Sequence, residues 1–475
     1  MTKNQAIAEI TKLQEQLAAL SDAIWDHPEI RYQEHFASKT LSDYLENHGF
    51  TLKRGIVGIP TAFCASFGQG HPIIGFLAEY DALPGMSQES MCDQKKPIQS
   101  GAPGHGCGHN LLGVGSVGAA LAVKKYLEDG IPGTIRLFGC PAEEGGSGKT
   151  FMAGAGIFDD LDCALTWHPG DTNDVATGSN LANCEINYHF TGIAAHAAIS
   201  PHLGRSALDA VELMNVGVQF LREHMEQECR IHYAITNAGG NSPNIVPANA
   251  EVLYLIRAPK LGQVRELRRR VDNIARGAAM MTETKLDIRF VKACSNVIPN
   301  RVLEEILYRN FKEIGPANYD ESDFAFAKKM RHSMEHKDPY YKEMAEQVKD
   351  KKVRDWLLED SDKAIYPKLF PLSEHETTSA ASSDVGDVSW ICPTAQISAV
   401  TMPGGTVMHS WQEVAVGKSP MAKKGMLTAS RVLAGAAIDI INSPHTISQA
   451  KEELKRRAGA ESYICPIPSG TPFPI

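Results

Sequence analysis

The chain has 475 residues, 43% of them hydrophobic and 22% charged, with a formal net charge of −9. That length can bury more than one core and sets a prior of roughly two to three domains. So mild a charge without a Lys/Arg-rich run excludes a nucleic-acid surface, and no stretch nears the ~20 apolar residues of a membrane span.

Residues 1–30 read as an amphipathic helix carrying Glu, Gln and Asp, without the basic flank, apolar run and small-residue cleavage site of a signal peptide. The ten Cys are scattered singly, with no short-loop framework. That usage fits a reducing cytoplasm. Residues 72–78 (PIIGFLA) form a short continuous apolar run, expected to be a strand buried on both faces. Asn110 is expected to cap the helix LLGVGSVGAALAVKKYLEDG, ended by Gly130 and Pro132. A second strand at 134–140 (TIRLFGC) leads to Glu143 and Glu144, then a helix near FMAGAGIF, then a third strand at 162–167 running into His168. This β-α-β-α-β order predicts an α/β fold with a mostly parallel sheet and helices on both faces.

From about Glu185 the pattern changes to β-α-β-β-α-β: INYHFTGIAAHA, SALDAVELMNVGVQFLREHM, RIHYAITNAGG, ANAEVLYLIRAP, VRELRRRVDNIARGAAMMT and KLDIRFVKAC. It reads as a small α+β domain inserted in the first and ending near Ser295. The expected division is therefore 1–184 for the first part of the large domain, 185–295 for the insert and 296–475 for the second part. Within that second part, a charged stretch at about 317–370 reads as solvated helices without chemistry. The Ser379–Asp387 stretch and the loop at Gly404 then return the chain to the edge where candidate ligands gather.

Those candidates carry the chemistry. Cys107 and His109 stand two apart in Gly104-His105-Gly106-Cys107-Gly108-His109, and residues i and i+2 of an extended chain project to one side. One thiolate and one imidazole can thus reach a common metal ion. Glu143 and Glu144 after Pro141, His168 before Pro169, and His409 after the Gly404 loop add metal-competent side chains. Each stands where a secondary element is expected to end, and those of the first third follow the carboxyl ends of the predicted strands, the edge where open α/β sheets bind ligands.

With these pieces in order (AEYDALPG, GHGCGHN, PAEEGG, WHP, GIAAHA, PNIVPANAEV, IRAP and the late His-Ser), the chain resembles the M20 metallopeptidase family, in the amidohydrolase branch that has Cys-Gly-His where other branches have a carboxylate. The resemblance spans essentially the whole length. It implies a metal-dependent amidohydrolase that cleaves the amide bond of an N-acyl, above all N-aroyl, amino acid. It makes Cys107, His109, Glu144, His168 and His409 the ligands of two divalent metal ions per subunit, Mn or Zn, with Co a third candidate. Glu143 is the implied general base, moving a proton from water to the leaving amine. Asp81 is expected to orient His109 or another ligand.

In similar proteins the inserted domain is a lid and dimer interface. His196 and Asn244 are then expected to reach the partner's site in a homodimer, with His196 stabilising the oxyanion and Arg257 gripping a substrate carboxylate. A related A-type subunit is a further candidate partner. His202, Arg205 and His232 are left as structural, and His105, a candidate sixth ligand as easily structural in its Gly loop, is left out of the set. Two departures from the branch bear on substrate contacts: Asn110 stands where many members have Asp, and Ser383–Asp387 (Ser-Asp-Val-Gly-Asp) where many have Glu-Asp-Phe. The alternatives are an aminoacylase or auxin-conjugate type of hydrolase, or a non-catalytic subunit of a hetero-oligomeric hydrolase. Retention of Glu143 together with the ligands favours an enzyme.

Overall fold

The apolar run at 73–78 sits at the heart of the larger of two main sheets in the computed structural model, which describes residues 1–334, 342, 345, 346 and 348–475. As β3 (Ile73–Ala78) it pairs in parallel with β4 (Gly133–Gly139) on one side and β5 (Cys163–Gly170) on the other. Parallel β13 (Thr394–Val400) continues the sheet beyond β5. Antiparallel β1 (Thr51–Arg54), β2 (Phe63–Gln69) and β6 (Asp174–Val175) complete the order β1-β2-β4-β3-β5-β13-β6. The fold is thus α/β with a mainly parallel centre.

Helices α1 (Lys3–Lys12), α2 (Gln14–Asp26), α3 (His35–Asn47) and α4 (His109–Leu127) pack with the long helix Pro420–Ile441 over this sheet. Nearly every residue of α4 is buried. Its glycines permit that closeness, because a Cβ at Gly115 would fall 2.6 Å from the Trp167 ring and one at Gly113 2.7 Å from the Glu79 carbonyl oxygen. The helix begins one residue before the position expected to cap it, after Gly108 at φ +69°. Asn110 lies inside it, where its amide donates to Ser21 Oγ (3.0 Å) and the Gly417 carbonyl (3.2 Å). It ties α4 to α2 and to the chain ahead of the long helix instead of capping.

A short helix, α5 (Gly148–Gly154), follows the Glu143–Glu144 turn. Beyond β7 (Gly178–Asn180), a second sheet forms from β8 (Ala182–Thr191), β9 (Arg230–Asn237), β10 (Asn249–Ala258) and β11 (Lys285–Cys294), all antiparallel in the order β11-β8-β10-β9. Helices α6 (Ala207–Arg222) and α7 (Leu261–Thr282) pack on it. On β10 the alternate residues Ala250, Val252, Tyr254, Ile256 and Ala258 are buried, as a strand with one covered face requires. They join a core separate from that of the large sheet. Strand β8 ends at Thr191, so GIAAHA is loop, not strand.

The helix predicted from Arg301 is α8 (Arg301–Ile314). The charged stretch contains helices Glu321–His332 and Lys351–Leu358; residues 335–341, 343, 344 and 347 of that stretch lie outside the described part. Its helices are not simply solvated, since Ala327, Met330 and Leu357 are buried in two small apolar clusters with Ile365, Tyr366 and Phe370. Strand β12 (Thr377–Ser379) pairs in parallel with β7. Among the described residues no helix is long and apolar enough to cross a membrane.

Candidate metal centre

Four parallel strands end at one edge, and the predicted ligands collect there. Asp81 follows β3, Glu143 and Glu144 follow β4, His168 lies within β5, His409 follows β13, and Cys107 and His109 stand at the start of α4. Ligand atoms of Cys107, His109 and His168 lie within 4.8 Å of one another, as do those of Cys107, Glu144 and His409. The five side chains expected to hold metal therefore meet in two groups that share Cys107.

Hydrogen bonds aim these groups. Asp81 Oδ1 accepts from His109 Nδ1 at 2.8 Å, while Asp81 Oδ2 accepts the Glu144 backbone N–H at 2.8 Å. With its proton on Nδ1, His109 presents the Nε2 lone pair to the cluster. His168 Nδ1 likewise donates to the Pro169 carbonyl at 2.7 Å, turning its Nε2 to Cys107 Sγ at 3.5 Å. His409 Nε2 lies 3.4 Å from Glu144 Oε2. Its own backbone is left-handed, φ +59°, and its N–H is shared between the Gly106 carbonyl and Glu413 Oε2.

The donor set fits divalent cations. Buried His109 Nε2 and Glu144 Oε1 have no hydrogen-bond partner, and a buried imidazole nitrogen facing carboxylates is costly unless a proton or a metal cation lies between them. Burial and then the charges of Glu144, Glu413 and Glu143 push the Cys107 thiol well above its ordinary value. Burial also raises Glu143, reinforced by Glu79 and Glu144. Burial opposes charge on His109, yet Asp81, Glu79 and Glu144 outweigh it and hold its pKa well above the usual imidazole value. Burial similarly opposes charge on Glu144, but His409 and His109 bring it down to about 2. Acidic groups are crowded here so closely that several are driven toward their protonated forms, a crowding that dications relieve.

Sequence reasoning missed part of the cluster. Glu79 Oε2 lies 3.3 Å from His109 Nε2, and Glu79, His109 and Glu143 form a third group of donors. Its signal was present: Glu79 stands two residues before Asp81, at the end of a strand. Fully buried Lys149 in α5 binds Glu79 Oε1 at 2.6 Å and Asp384 Oδ1 at 2.7 Å. Asp387 accepts from Thr150, Ser295 and Tyr463. The segment Ser383–Asp387 thus serves as an ionic and hydrogen-bonded anchor. His105, left out of the ligand set, is buried with Nε2 on the Ile24 carbonyl at 3.2 Å, and burial followed by the His109 charge lowers it to about 3.

The residues predicted in the smaller unit lie apart. His196 and Asn244 are exposed on neighbouring loop segments, paired through Ala197 N–H to the Asn244 carbonyl at 2.9 Å. The Nδ1 of His196 accepts N–H groups of Ala198 and Ile199. Arg257 donates to Ser382 Oγ at 3.0 Å, reaching from β10 to the large unit.

Comparison with known proteins fits this geometry. The model of peptidase family M20/M25/M40 matches residues 75–413. The B-type subunit of p-aminobenzoyl-glutamate hydrolase from Escherichia coli (strain K12) is 46% identical over 461 residues, covering 96% of this chain and 95% of that protein. An Xaa-Arg dipeptidase of Mus musculus is 34% identical over 66% of this chain and 72% of its own. The fold matches a crystal structure of a dinuclear metal-binding M20 peptidase from Bacillus subtilis with a TM-score of 0.56 at 16% identity, over 91% of this chain and 99% of that one. Matched along nearly its whole length, with the candidate ligands at one sheet edge, the chain belongs to peptidase family M20/M25/M40 and is a metal-dependent amide hydrolase.

Proposed function

We propose that this chain releases the amino acid from N-acyl amino acids, with p-aminobenzoyl-glutamate as the foremost substrate. The observation that carries the reading is the buried cluster in which His109, aimed by Asp81, offers an unpartnered Nε2 beside Cys107, Glu144 and Glu143. The extent of likeness to the Escherichia coli relative supports the aroyl substrate.

Cys107, His109, Glu144, His168 and His409 are the side chains to hold two divalent ions. The thiolate suits Zn, while imidazole with carboxylate also suits Mn or Co. When bound, such ions lower the pKa of water and polarise an amide carbonyl. Glu143 takes the proton released by the attacking water and delivers it to the leaving amine, a contribution of ~10²–10⁴-fold. Asp81 keeps the His109 proton on Nδ1. His196, whose Nδ1 is occupied by backbone N–H groups, has Nε2–H to donate to the developing oxyanion. Asn244 binds beside it, and Arg257 pairs with the substrate carboxylate.

That role for His196 and Asn244 requires a second copy. Edge strand β9 exposes Tyr233 and Ile235, and α6 exposes Leu213, Val216 and Phe220 at i, i+3 and i+7. An unpaired edge beside apolar side chains favours pairing with another chain. A homodimer through residues 185–295 is the assembly proposed; an A-type subunit, as the name of the Escherichia coli relative implies for that protein, is the further partner to test. Ten free cysteines support a reducing cytoplasm.

The test is release of amine from a panel of N-acyl amino acids by the purified chain loaded with Zn, Mn or Co. Preference for p-aminobenzoyl-glutamate is expected. Faster turnover of aliphatic acyl conjugates would replace it with the aminoacylase reading. No release from any conjugate, with or without an A-type subunit, would refute catalysis.

A further inference from the structure

The turn carrying Glu143 and Glu144 is strained, and it is held by a segment far away in sequence. Ala142 and Ser147, on either side of it, both take left-handed backbone, at φ +61° and +55°. L residues stay in that region when their surroundings impose it. The surroundings here are residues 31–34, between α2 and α3. Glu34 Oε1 accepts the Ala142 N–H at 2.9 Å and the Tyr32 N–H at 2.8 Å. The Tyr32 hydroxyl donates to the Gly146 carbonyl at 2.7 Å, and Arg31 Nη1 to the Gly145 carbonyl at 3.1 Å. Both Tyr32 and Glu34 are buried.

The two glycines after the Glu pair belong to the same device. Neither has a positive φ, so the backbone does not demand glycine there. At Gly146 the neighbours do: a Cβ there would come 2.5 Å from the Tyr32 ring and 2.6 Å from the Ala142 Cβ, whereas one on Gly145 would meet only the flexible end of Arg31, 2.8 Å away at Nη1. Gly146 is therefore fitted both to Tyr32 and to the turn itself. The turn's remaining hold, Asp81 on the Glu144 N–H, comes from the metal side.

We infer that Arg31, Tyr32 and Glu34 are positioning residues for amide hydrolysis, locking the turn at 142–146 so that Glu143 and Glu144 keep their places. The inference rests on the roles proposed above for those two glutamates. A purely structural segment would change stability alone, whereas a positioning segment changes kcat and metal binding in a protein that stays folded.

The experiment compares Tyr32→Phe, Glu34→Ala and Glu34→Gln with the wild-type full chain. It reads thermal unfolding of the metal-free protein, titration of Zn or Mn into it, and kcat and KM on the best substrate of the panel. Tyr32→Phe keeps the ring and removes one donor. It should unfold like wild type, lose ~10-fold or more in metal affinity and kcat, as loss of an outer support does, and keep KM within about twofold. Glu34→Ala should lose more, and Glu34→Gln should recover most of it because the amide oxygen can accept both N–H groups. Wild-type metal affinity and kcat in Tyr32→Phe would overturn the inference, and that variant decides if Glu34→Ala fails to fold. The underlying reading is separately exposed: full activity in Glu143→Gln sinks the role of Glu143, whereas an inactive Glu143→Gln beside an unaffected Tyr32→Phe sinks only the positioning segment.

Discussion

Replacing Asp81 with Asn tests the metal centre at its most constrained hydrogen-bonding point. Two donors converge on the Asp81 carboxylate, His109 Nδ1 and the Glu144 backbone N–H, each at 2.8 Å. Asparagine supplies one oxygen and one NH₂ group. If the oxygen serves His109, the NH₂ faces another donor at Glu144. If it serves Glu144, the NH₂ faces His109 Nδ1, which must then accept, sending the ring proton to Nε2 and closing the lone pair that serves the cluster. The first outcome leaves a buried donor unsatisfied, a cost of ~1–3 kcal/mol, and the second takes the His109 lone pair away from the cluster. Loss of an outer-sphere partner to a ligating His costs ~10–100-fold in metal affinity, or ~1.4–2.7 kcal/mol. The two routes agree. Calorimetric titration of Zn or Mn into metal-free Asp81→Asn should therefore show affinity reduced by one to two orders of magnitude, about that range, with kcat falling alongside. Wild-type affinity and stoichiometry would refute the argument that Asp81 sets the His109 tautomer.

Cys107→Ser should lower metal stoichiometry, read by elemental analysis after dialysis, because a hydroxyl is a poor substitute for a soft thiolate shared by both donor groups. Glu143→Gln should retain metal while turnover drops by at least ~10²-fold; a near-normal rate would place the base elsewhere. Mixing inactive Glu143→Gln with inactive His196→Ala should restore about a quarter of wild-type activity under random subunit exchange, since an isologous dimer places both defects in one site and neither in the other. No recovery despite exchange, followed by differential tagging, would confine His196 to its own chain. For stability, Glu304 is raised from 4.5 to about 7, chiefly by burial. The folded state thus holds its proton more tightly than the unfolded chain, so this contribution is present below about pH 4.5 and is lost as pH rises through about 7, each pKa unit being about 1.4 kcal/mol. Urea denaturation of Glu304→Gln should show a smaller loss between pH 5 and 8 than wild type, and parallel curves would contradict the assignment.

Legibility in the sequence followed the range of the interactions. The buried central strand at 73–78 was readable because parallel strands covered on both faces become continuous apolar runs, and the second sheet because β10 and its neighbours alternate. That Cys107 and His109 would come together was readable from local spacing. Asn110 misled because an Asn before an apolar helix resembles a cap, whereas Gly108, free to adopt φ +69°, starts this one. Lys149 and Asp384 were illegible for a different reason: their partner Glu79 comes from another element, and a Lys followed by Thr-Phe-Met carries no local mark of complete burial. Residues 31–34 were hidden likewise, since their acceptors and donors lie more than a hundred positions away.

The position of Lys149 clarifies how one pocket can collect so many acidic groups and stay folded. A buried carboxylate without a counter-charge costs several kcal/mol, and Glu79, Asp81, Glu143, Glu144 and Glu413 crowd this one edge. Lys149 relieves Glu79 and Asp384, with one carboxylate oxygen of Glu79 on Lys149 and the other toward His109. Glu413 spends one oxygen on the His409 N–H, its other oxygen lacking a partner, and burial holds it well above the usual carboxylate range. The fixed cation therefore balances Glu79 and Asp384 and leaves Cys107, Glu144 and the unpartnered His109 nitrogen in charge deficit. A soluble dication entering there meets donors whose alternative is protonation, so metal binding and proton release are coupled at this edge, and calorimetric titration of Zn or Mn at successively lower pH should show falling affinity.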